Sequence, residues 1–292
     1  MDRFANLAPD CLSFASMLNK KFFSLPSASW ILLGIMLAIG FLAWKGRQLK
    51  VDGSVAAVII GFGITWILGF GALFVMMLFF LGAAVEGRLS RACRVKDQTL
   101  IQKKGGCRDS RQVLANGGLS CICAVLYIFF TSPVVLVMFG ACIAEAAADT
   151  SSGDIGILSK QKPVSLLTGR EMPKGLSGAV TATGMLAGLL ASFVIALCWQ
   201  SNFFAPSAHA FLAMSIVTVA GFFGSVFDSF LGCTCQACYV DEEHGCLTEH
   251  EGNGVVKFQL EHGWPWMDND MVNFLSNLFS CVLAGVLGFI LL

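Results

Sequence analysis

The chain has 292 residues and no net charge; 56% of its residues are apolar and only 13% are charged. Soluble domains carry about 25% charged residues, so this composition and the mean hydropathy of +0.74 exclude a soluble globular domain. Zero net charge also gives no long-range attraction to nucleic acid, and we expect no nucleic-acid partner.

The N-terminal segment, residues 1–26, precedes the first long apolar run. It lacks the succession of basic region, apolar region and cleavage site that marks a secretory signal. It also carries Asp2 and Asp10, whereas transit peptides are rich in Arg and poor in acidic residues. We therefore predict neither a cleaved signal nor a transit peptide.

From residue 27 onward, uncharged apolar runs long enough to cross a bilayer follow one another. A helix needs roughly 17–25 apolar residues to cross the hydrocarbon core, whereas a transmembrane barrel needs alternating segments of ~10 residues. The sequence thus predicts an all-α, polytopic membrane helix bundle, and we treat residues 27–292 as a single transmembrane domain. The predicted helices lie near 27–44, 53–69, 70–86, 112–130, 134–150, 176–198, 210–231 and 271–291.

The stretch 53–86 is almost continuously apolar and is too long for one ordinary span. Glycines at 61, 63, 69 and 71 favour two short helices with a turn near Gly69–Gly71. A single helix there would lower the helix count by one, from eight to seven, and would move the later loops to the other side of the membrane.

The charges lie on one side of the predicted bundle. Apart from Arg3, Lys20 and Lys21, the 19 Lys and Arg residues fall in alternate loops, and apart from Asp2 and Asp10 the acidic residues lie in or beside the same loops. The positive-inside rule places these loops in the cytoplasm or its equivalent, at a plastid, endoplasmic reticulum or bacterial inner membrane. The charged loops are residues 45–52, 87–111, 151–175 and 232–270.

Three acidic residues, Glu145, Asp149 and Asp228, lie inside or at the edge of apolar helices, and Asp154 follows closely. An ionisable group in a membrane segment is costly and is a functional-site candidate by default. Carboxylates that meet at one face could hold Mg²⁺, which binds carboxylates together with substrate phosphates. The alternative is that these side chains reach the membrane interface or pair with nearby Arg and Lys.

The loop before the fourth predicted helix carries Arg108, Arg111, Gln112 and Asn116 close to a helix start. Arg side chains and helix N-termini suit phosphates, so this loop could bind a phosphate group. The alternative is a positive-inside loop that ends where the helix begins.

A later turn sets Lys174 beside Gly175 and Gly178, and such a turn can cradle phosphate through backbone N–H groups, although the spacing is not that of a P-loop. At the start of the last helix, Asp268 or Asn269 is the expected N-cap. Asn273 then lies within an apolar helix, where it would either join helices by hydrogen bonding or contact substrate.

Cysteines are frequent, with 12 in the chain. The loop cysteines and the histidines near them have the spacing of no standard zinc site, and cysteines in apolar helices behave as small apolar residues. We favour a packing role and leave a role in metal binding open for the loop residues Cys233, Cys235, Cys238 and Cys246, with His244 and His250.

Five motifs stand in a fixed order: GGCRDSRQVLANGG (105–118), AADTSSGDIG (147–156), PKGLSGAVTATG (173–184), GSVFDSFLGCTCQ (224–236) and DNDMVNFLS (268–276). They resemble a family of multi-pass membrane proteins that includes plant and cyanobacterial phytyl-phosphate kinase and animal transmembrane protein 19. The resemblance covers roughly residues 30–292. It implies a kinase that converts phytyl phosphate to the diphosphate for tocopherol synthesis, with a nucleoside triphosphate, CTP, as the donor.

The resemblance implies that Asp149 and Asp228 are catalytic and that Asp149, Asp154 and Asp228 hold Mg²⁺. Substrate and phosphate binding is expected from the residues that match the motifs and from the cations beside them: Arg108, Arg111, Gln112, Asn116, Lys174, Gly175, Gly178, Gln236, Asn269 and Asn273. Thr150, Ser229 and Gly232 match the motifs as well.

The chain departs from the family pattern at five positions. Asp154 stands where Glu is expected, and Cys233 and Cys235 replace small or apolar residues. Leu176 and Ala179 stand in a stretch that usually reads Gly-Thr-Asn-Gly-Gly-Val-Ser. A side chain at these positions restricts the φ and ψ angles that the backbone can adopt.

The leading hypothesis is therefore a membrane-embedded kinase for an isoprenoid alcohol monophosphate, with a nucleotide co-substrate. A multi-pass lipid or small-molecule transporter or flippase is the alternative that the intramembrane carboxylates motivate. A catalytically silent scaffold is the alternative that the departures motivate. The lipid, the nucleotide, the organelle and the oligomeric state stay open.

Overall fold

The computed structural model describes Asn19 and residues 22–93 and 106–292. Eight helices in this part of the chain are long and apolar enough to cross a membrane, which confirms the predicted polytopic helix bundle. Most of the segment 1–26 and part of the second charged loop lie outside the described residues. The helices are α1 (Ala28–Lys45), α2 (Val51–Leu68), α3 (Phe70–Cys93), α4 (Ser110–Phe129), α5 (Pro133–Leu158), α6 (Ala182–Phe203), α7 (Ala208–Thr234) and α8 (Asn269–Leu291).

Three helices extend beyond the ends predicted from hydropathy. α3 continues to Cys93, α5 to Leu158 and α7 to Thr234, because their polar ends contain no proline that would interrupt the backbone hydrogen bonds. α6 begins at Ala182, later than the predicted residue 176. Its start is fixed by Thr181, whose Oγ1 accepts a hydrogen bond of 3.0 Å from the Gly184 N–H.

The break between α2 and α3 occurs at Gly69, as the glycine pattern predicts. Gly69 has φ of +81°, a conformation that residues with a side chain rarely adopt. A Cβ atom at this position would lie 2.4 Å from Asn19 Nδ2, and Asn19 Oδ1 accepts a hydrogen bond of 2.9 Å from the Phe70 N–H. Both the backbone conformation and the lack of space therefore require glycine.

α5 is the central helix of the bundle and packs against α3, α4, α6, α7 and α8. Small residues allow these close approaches, as is common for membrane helices. A Cβ atom at Gly221 of α7 would lie 2.7 Å from the Ala144 Cβ of α5, and one at Gly140 would lie 2.8 Å from the Trp199 ring of α6. The face of α5 that carries the acidic residues is thereby enclosed by its neighbours.

Short strands lie in two of the charged loops. β1 (Val164–Ser165) and β2 (Ala179–Val180) form an antiparallel pair between α5 and α6. The segment after α7 forms a three-stranded antiparallel sheet in the order β4-β3-β5, with β3 at Cys238–Asp241, β4 at Cys246–Thr248 and β5 at Gln259–His262.

Contacts join the charged loops to one another at one end of the bundle. The backbone of Leu49, between α1 and α2, pairs with that of Arg108, just before α4. Ser177, between α5 and α6, donates a backbone hydrogen bond of 3.2 Å to Glu249 in the segment after α7. A Cβ atom at Gly87, in the second charged loop, would lie 3.4 Å from Asp154 Oδ2 in the third. The loops that the sequence predicts on one side of the membrane therefore form one connected layer.

Replacement of Gly221 by Ala should lower the free energy of unfolding by about 1–3 kcal/mol, because the new methyl group would overlap Ala144 and Ser192. Gly118 on α4 is the matched control, since an added Cβ atom there meets nothing within 4 Å. Gly118→Ala should leave stability unchanged or raise it, because alanine favours the helix. Thermal unfolding of the purified proteins in one detergent measures both effects, and equal midpoints for the two variants would contradict the packing argument.

Candidate functional site

A cavity of about 230 Å³ opens where α5, α7 and α8 meet the loop that precedes α6. Asp149 and Asp154 of α5 and Asp228 of α7 all line it. The three residues predicted to hold Mg²⁺ thus surround one space at the charged end of the bundle. Each is partly exposed, so a ligand can reach them.

The loop 173–181 forms the opposite wall of the cavity with Lys174, Gly175, Ser177 and Gly178. The Nζ atom of Lys174 donates a hydrogen bond to the carbonyl of Ser159, which follows the last residue of α5. This contact fixes the ammonium group at the cavity wall. The cavity is therefore bounded by carboxylates on the helices and by a lysine and backbone groups on the loop.

Two glycines determine the shape of this loop. Gly175 and Gly178 have φ of +92° and +81°, and a Cβ atom at Gly178 would lie 2.6 Å from the Cys233 backbone nitrogen. A Cβ atom at Gly232 would in turn lie 2.6 Å from the Gly178 backbone nitrogen. The loop thus lies directly against the end of α7, and glycine is required on both sides of the contact.

The departures Leu176 and Ala179 fall at positions where the backbone has negative φ, so neither position requires glycine. Leu176 is buried against Cys238 of β3, with Met172 and Leu247 around them. The leucine side chain therefore anchors the loop on the sheet. The positive-φ positions at 175 and 178 keep their glycines.

Gln236, predicted to bind substrate, lies behind the loop and does not line this cavity. Its Nε2 donates a hydrogen bond of 2.8 Å to Ser177 Oγ, and Ser177 donates to the Glu249 carboxylate through both its N–H and its Oγ. Gln236 and Glu249 therefore support Ser177 from outside, and Ser177 lines the cavity.

Below the cavity, Glu145 is buried, with 1% of its surface exposed. Its Oε2 accepts a hydrogen bond of 2.6 Å from Asn277 Nδ2, and Ser276 Oγ lies 2.8 Å from its Oε1 and 3.2 Å from Asp228 Oδ2. Asn273 Nδ2 lies 3.1 Å from the same Asp228 oxygen when its amide is oriented to donate. This polar network joins α5, α7 and α8.

The residues predicted from the last motif lie at two depths. Asp268 is the N-cap of α8, since its Oδ1 accepts from the Asp270 and Met271 N–H groups. Asn269 lines the cavity, whereas Asn273 lies in the network beneath it. Ser276 and Asn277 were not predicted as site residues. The pattern that indicates them is the helical spacing of polar residues on one face of an apolar helix.

Arg108 lies at the edge of the acidic cluster. Burial lowers the pKa of its guanidinium, and the charges of Asp154, Asp149 and Glu86 oppose this shift. Glu86 of α3, which the sequence did not single out, accepts a hydrogen bond of 2.8 Å from Ser151 Oγ. The positive charge of the arginine therefore offsets part of the negative charge of these carboxylates.

The residues of the first motif do not line the acidic cavity. Gln112 forms a capping box with Asp109 at the start of α4. The Asn116 side-chain amide donates a hydrogen bond of 3.1 Å to the Gln112 backbone carbonyl. Both residues, with Arg108, line a second, apolar cavity. Arg111 is exposed and lines neither cavity.

The loop cysteines do not converge in the described part of the chain, where the groups of three or more close ligand atoms are Cys123 with Cys142 and Cys281, and Asp241 with Glu243 and His244. Burial raises the pKa of the Cys238 thiol to about 11, so this thiol is protonated at neutral pH.

Comparison with known proteins places these features in a family. The family described as "Integral membrane protein DUF92" matches residues 34–281. An uncharacterized membrane protein of Methanocaldococcus jannaschii is 32% identical over 166 residues, 56% of this chain and 66% of its own length. Protein PGR of Arabidopsis thaliana is 28% identical over 85% of this chain and 92% of its own length.

The Arabidopsis protein named "Protein VTE6, chloroplastic" is 24% identical over 243 residues, which are 81% of this chain and 64% of that protein. No solved structure gives a significant match.

Replacement of Ser276 by Ala should lower the free energy of unfolding by about 1–3 kcal/mol, because it removes a hydroxyl from between the buried Glu145 carboxylate and the Asp228 carboxylate. Ser215→Ala is the control, since Ser215 is exposed and bonds only within its own helix. Chemical or thermal unfolding of both variants in detergent measures the difference. The network would lack the stabilising role assigned to it if Ser276→Ala behaved like Ser215→Ala.

Proposed function

The chain belongs to the DUF92 family of integral membrane proteins, and we propose that it is a kinase that phosphorylates an isoprenoid alcohol monophosphate within the membrane. The observation that carries the proposal is the single cavity lined by Asp149, Asp154, Asp228 and Lys174 at the charged end of the helices. The resemblance of its motifs to those of phytyl-phosphate kinases supports the same reaction.

The reaction needs positioning and charge neutralisation more than covalent catalysis. An oxygen of the lipid phosphate attacks the γ-phosphorus of the nucleoside triphosphate. A new P–O bond forms while the bond to the β–γ bridging oxygen breaks, and the electron pair leaves with the nucleoside diphosphate. A phosphate monoester has a second pKa of about 6, so at neutral pH the attacking group is mainly the dianion and no general base is required.

The ligand types around the cavity fit a hard divalent cation such as Mg²⁺. Its polar side chains are carboxylates, hydroxyls, an amide and a lysine, and no thiol or imidazole lines it among the described residues. Oxygen ligands of this kind suit Mg²⁺, and Asp149, Asp154 and Asp228 would hold it. Bound there, the ion would neutralise charge on the nucleotide phosphates.

The cations of the site would stabilise the transferring phosphoryl group. Lys174 is held at the cavity wall by the Ser159 carbonyl, and the charge of Arg108 interacts with the charges of Asp149 and Asp154. Arg108 and Lys174 would therefore contact negative charge on the two substrates. Arg111 is not assigned such a role, because it is exposed and does not line the cavity.

Asp228→Asn should reduce phosphorylation of phytyl phosphate by at least about 100-fold, an effect of the size seen when a preorganised charged group is lost. The fold should be retained, since an asparagine Oδ1 can still accept from Ser276. Glu171→Gln is the matched control, because Glu171 is an exposed carboxylate of the same charged layer, paired with Lys162. Transfer of labelled γ-phosphate by purified protein in lipid nanodiscs measures both variants. Full activity of Asp228→Asn would remove Asp228 from the mechanism.

The donor is tested by offering CTP and ATP to the wild-type protein with a panel of isoprenyl monophosphates. We expect Mg²⁺-dependent transfer with CTP preferred, and loss of transfer when the metal is chelated. Substrate flux across proteoliposomes without nucleotide turnover would instead favour a transporter and would contradict the kinase proposal.

A further inference from the structure

A second cavity, of about 150 Å³, lies between α1, α2, α3 and α4. Its polar side chains gather at the charged end, where Arg108, Gln112 and Asn116 line it. Toward the membrane interior its walls are almost entirely aliphatic and aromatic. They include Met36, Ile39, Val58, Ile60, Leu73, Met76, Met77, Phe79, Phe80 and Ile143.

The cavity is an elongated space along α4. Its lining on this helix runs from Gln112 to Ser120, about 12 Å at the rise of an α-helix. Gly117 lies within this stretch, and a Cβ atom there would approach Ile60 no closer than 3.7 Å. The glycine therefore leaves open space that a larger side chain would fill.

Arg108 is fixed at the charged end of the apolar cavity. Its backbone N–H donates a hydrogen bond of 2.9 Å to the Gln48 carbonyl, and its backbone carbonyl accepts a hydrogen bond of 2.8 Å from the Lys50 N–H. Its guanidinium carbon lies 5.9 Å from the centre of the Phe79 ring, within the range of a cation–π contact. The side chain thus lines the apolar cavity, and its charge interacts with the charges of Asp149 and Asp154.

We propose that this apolar cavity holds the hydrocarbon chain of a lipid phosphate, with the phosphate group at Arg108. The inference rests on the proposed function, because it identifies the acceptor side of the same reaction. A phosphate bound to Arg108 would lie next to the carboxylate-lined cavity, where the nucleotide is proposed to bind. The two substrates would then enter from different phases, the lipid from the bilayer and the nucleotide from water.

Charge distinguishes this cavity from a neighbouring one. A third cavity, of about 340 Å³, lies between α3, α5 and α6 and is also largely apolar. Its ionisable residue is Glu86, whose carboxylate would repel a phosphate group. The cavity that ends at Arg108 is therefore the one whose charge complements a lipid phosphate.

Gly117→Leu fills the proposed chain site and should raise KM for phytyl phosphate roughly 10- to 100-fold, since several buried methylene groups of the substrate lose their place. KM for isopentenyl phosphate should change little, because its short chain does not reach this depth. Gly118→Leu, on the same helix, and Gly82→Leu, in the third cavity, are matched controls with open space at the added Cβ atom. A rise in KM for Gly82→Leu with no rise for Gly117→Leu would overturn the assignment.

Photolabelling separates this inference from the kinase proposal. Phytyl phosphate with a diazirine at the far end of its chain should label residues that line this cavity and not the third one: Ala57, Val58, Ile60, Gly61, Leu73, Met76, Met77 or Phe80. Gly117→Leu and Arg108→Gln should each reduce the label severalfold, whereas Gly118→Leu should not. Such labelling without phosphoryl transfer would refute the kinase proposal and support the binding site. Labelling of Leu190 or Val194 in the third cavity, or labelling equally strong with the uncharged alcohol, would refute the site.

Discussion

The buried carboxylate of Glu145 is the constraint on which the arrangement of the site depends. A carboxylate inside a membrane bundle requires hydrogen-bond donors, because lipid offers none. Asn277 and Ser276 of α8 supply them, and Ser276 also reaches Asp228 of α7. These hydrogen bonds fix α5, α7 and α8 relative to one another along the bundle. Asp149 follows Glu145 by one helical turn and therefore lines the same cavity as Asp228 at the charged end.

The loop before α6 completes the site because it is held from three directions. Gly178 lies against the backbone of α7, Leu176 is buried on the sheet, and Ser177 is bonded by Gln236 and Glu249. A loop fixed in this way presents Lys174 and its backbone groups to the cavity without reorganisation, which favours binding of phosphate. The segment after α7 therefore supports the site from behind, and Gln236 acts through Ser177.

Much of the fold follows from the sequence because a bilayer imposes strict rules. The apolar runs predicted the eight helices, and the glycine pattern predicted the break at Gly69. Positive φ and contact with Asn19 both require glycine at that position. Helix ends were less well predicted. Hydropathy stops at the hydrocarbon boundary, whereas α3 and α5 continue beyond it, and a capping side chain such as Thr181 defines a start that composition does not show.

The sequence by itself determined that this is a multi-pass membrane protein with one charged face, and it identified residues that line the acidic cavity, among them Asp149, Asp154, Asp228, Lys174 and Asn269. Only the tertiary structure decided which of those residues share a space. In the structure, Gln112 and Asn116 line an apolar cavity, Gln236 lies behind the loop, and the charge of Glu86 acts on Arg108. The reason is physical: periodicity shows which side of a helix is polar, but the rotation and depth of each helix are set by contacts with others, such as those of Glu145 with α8.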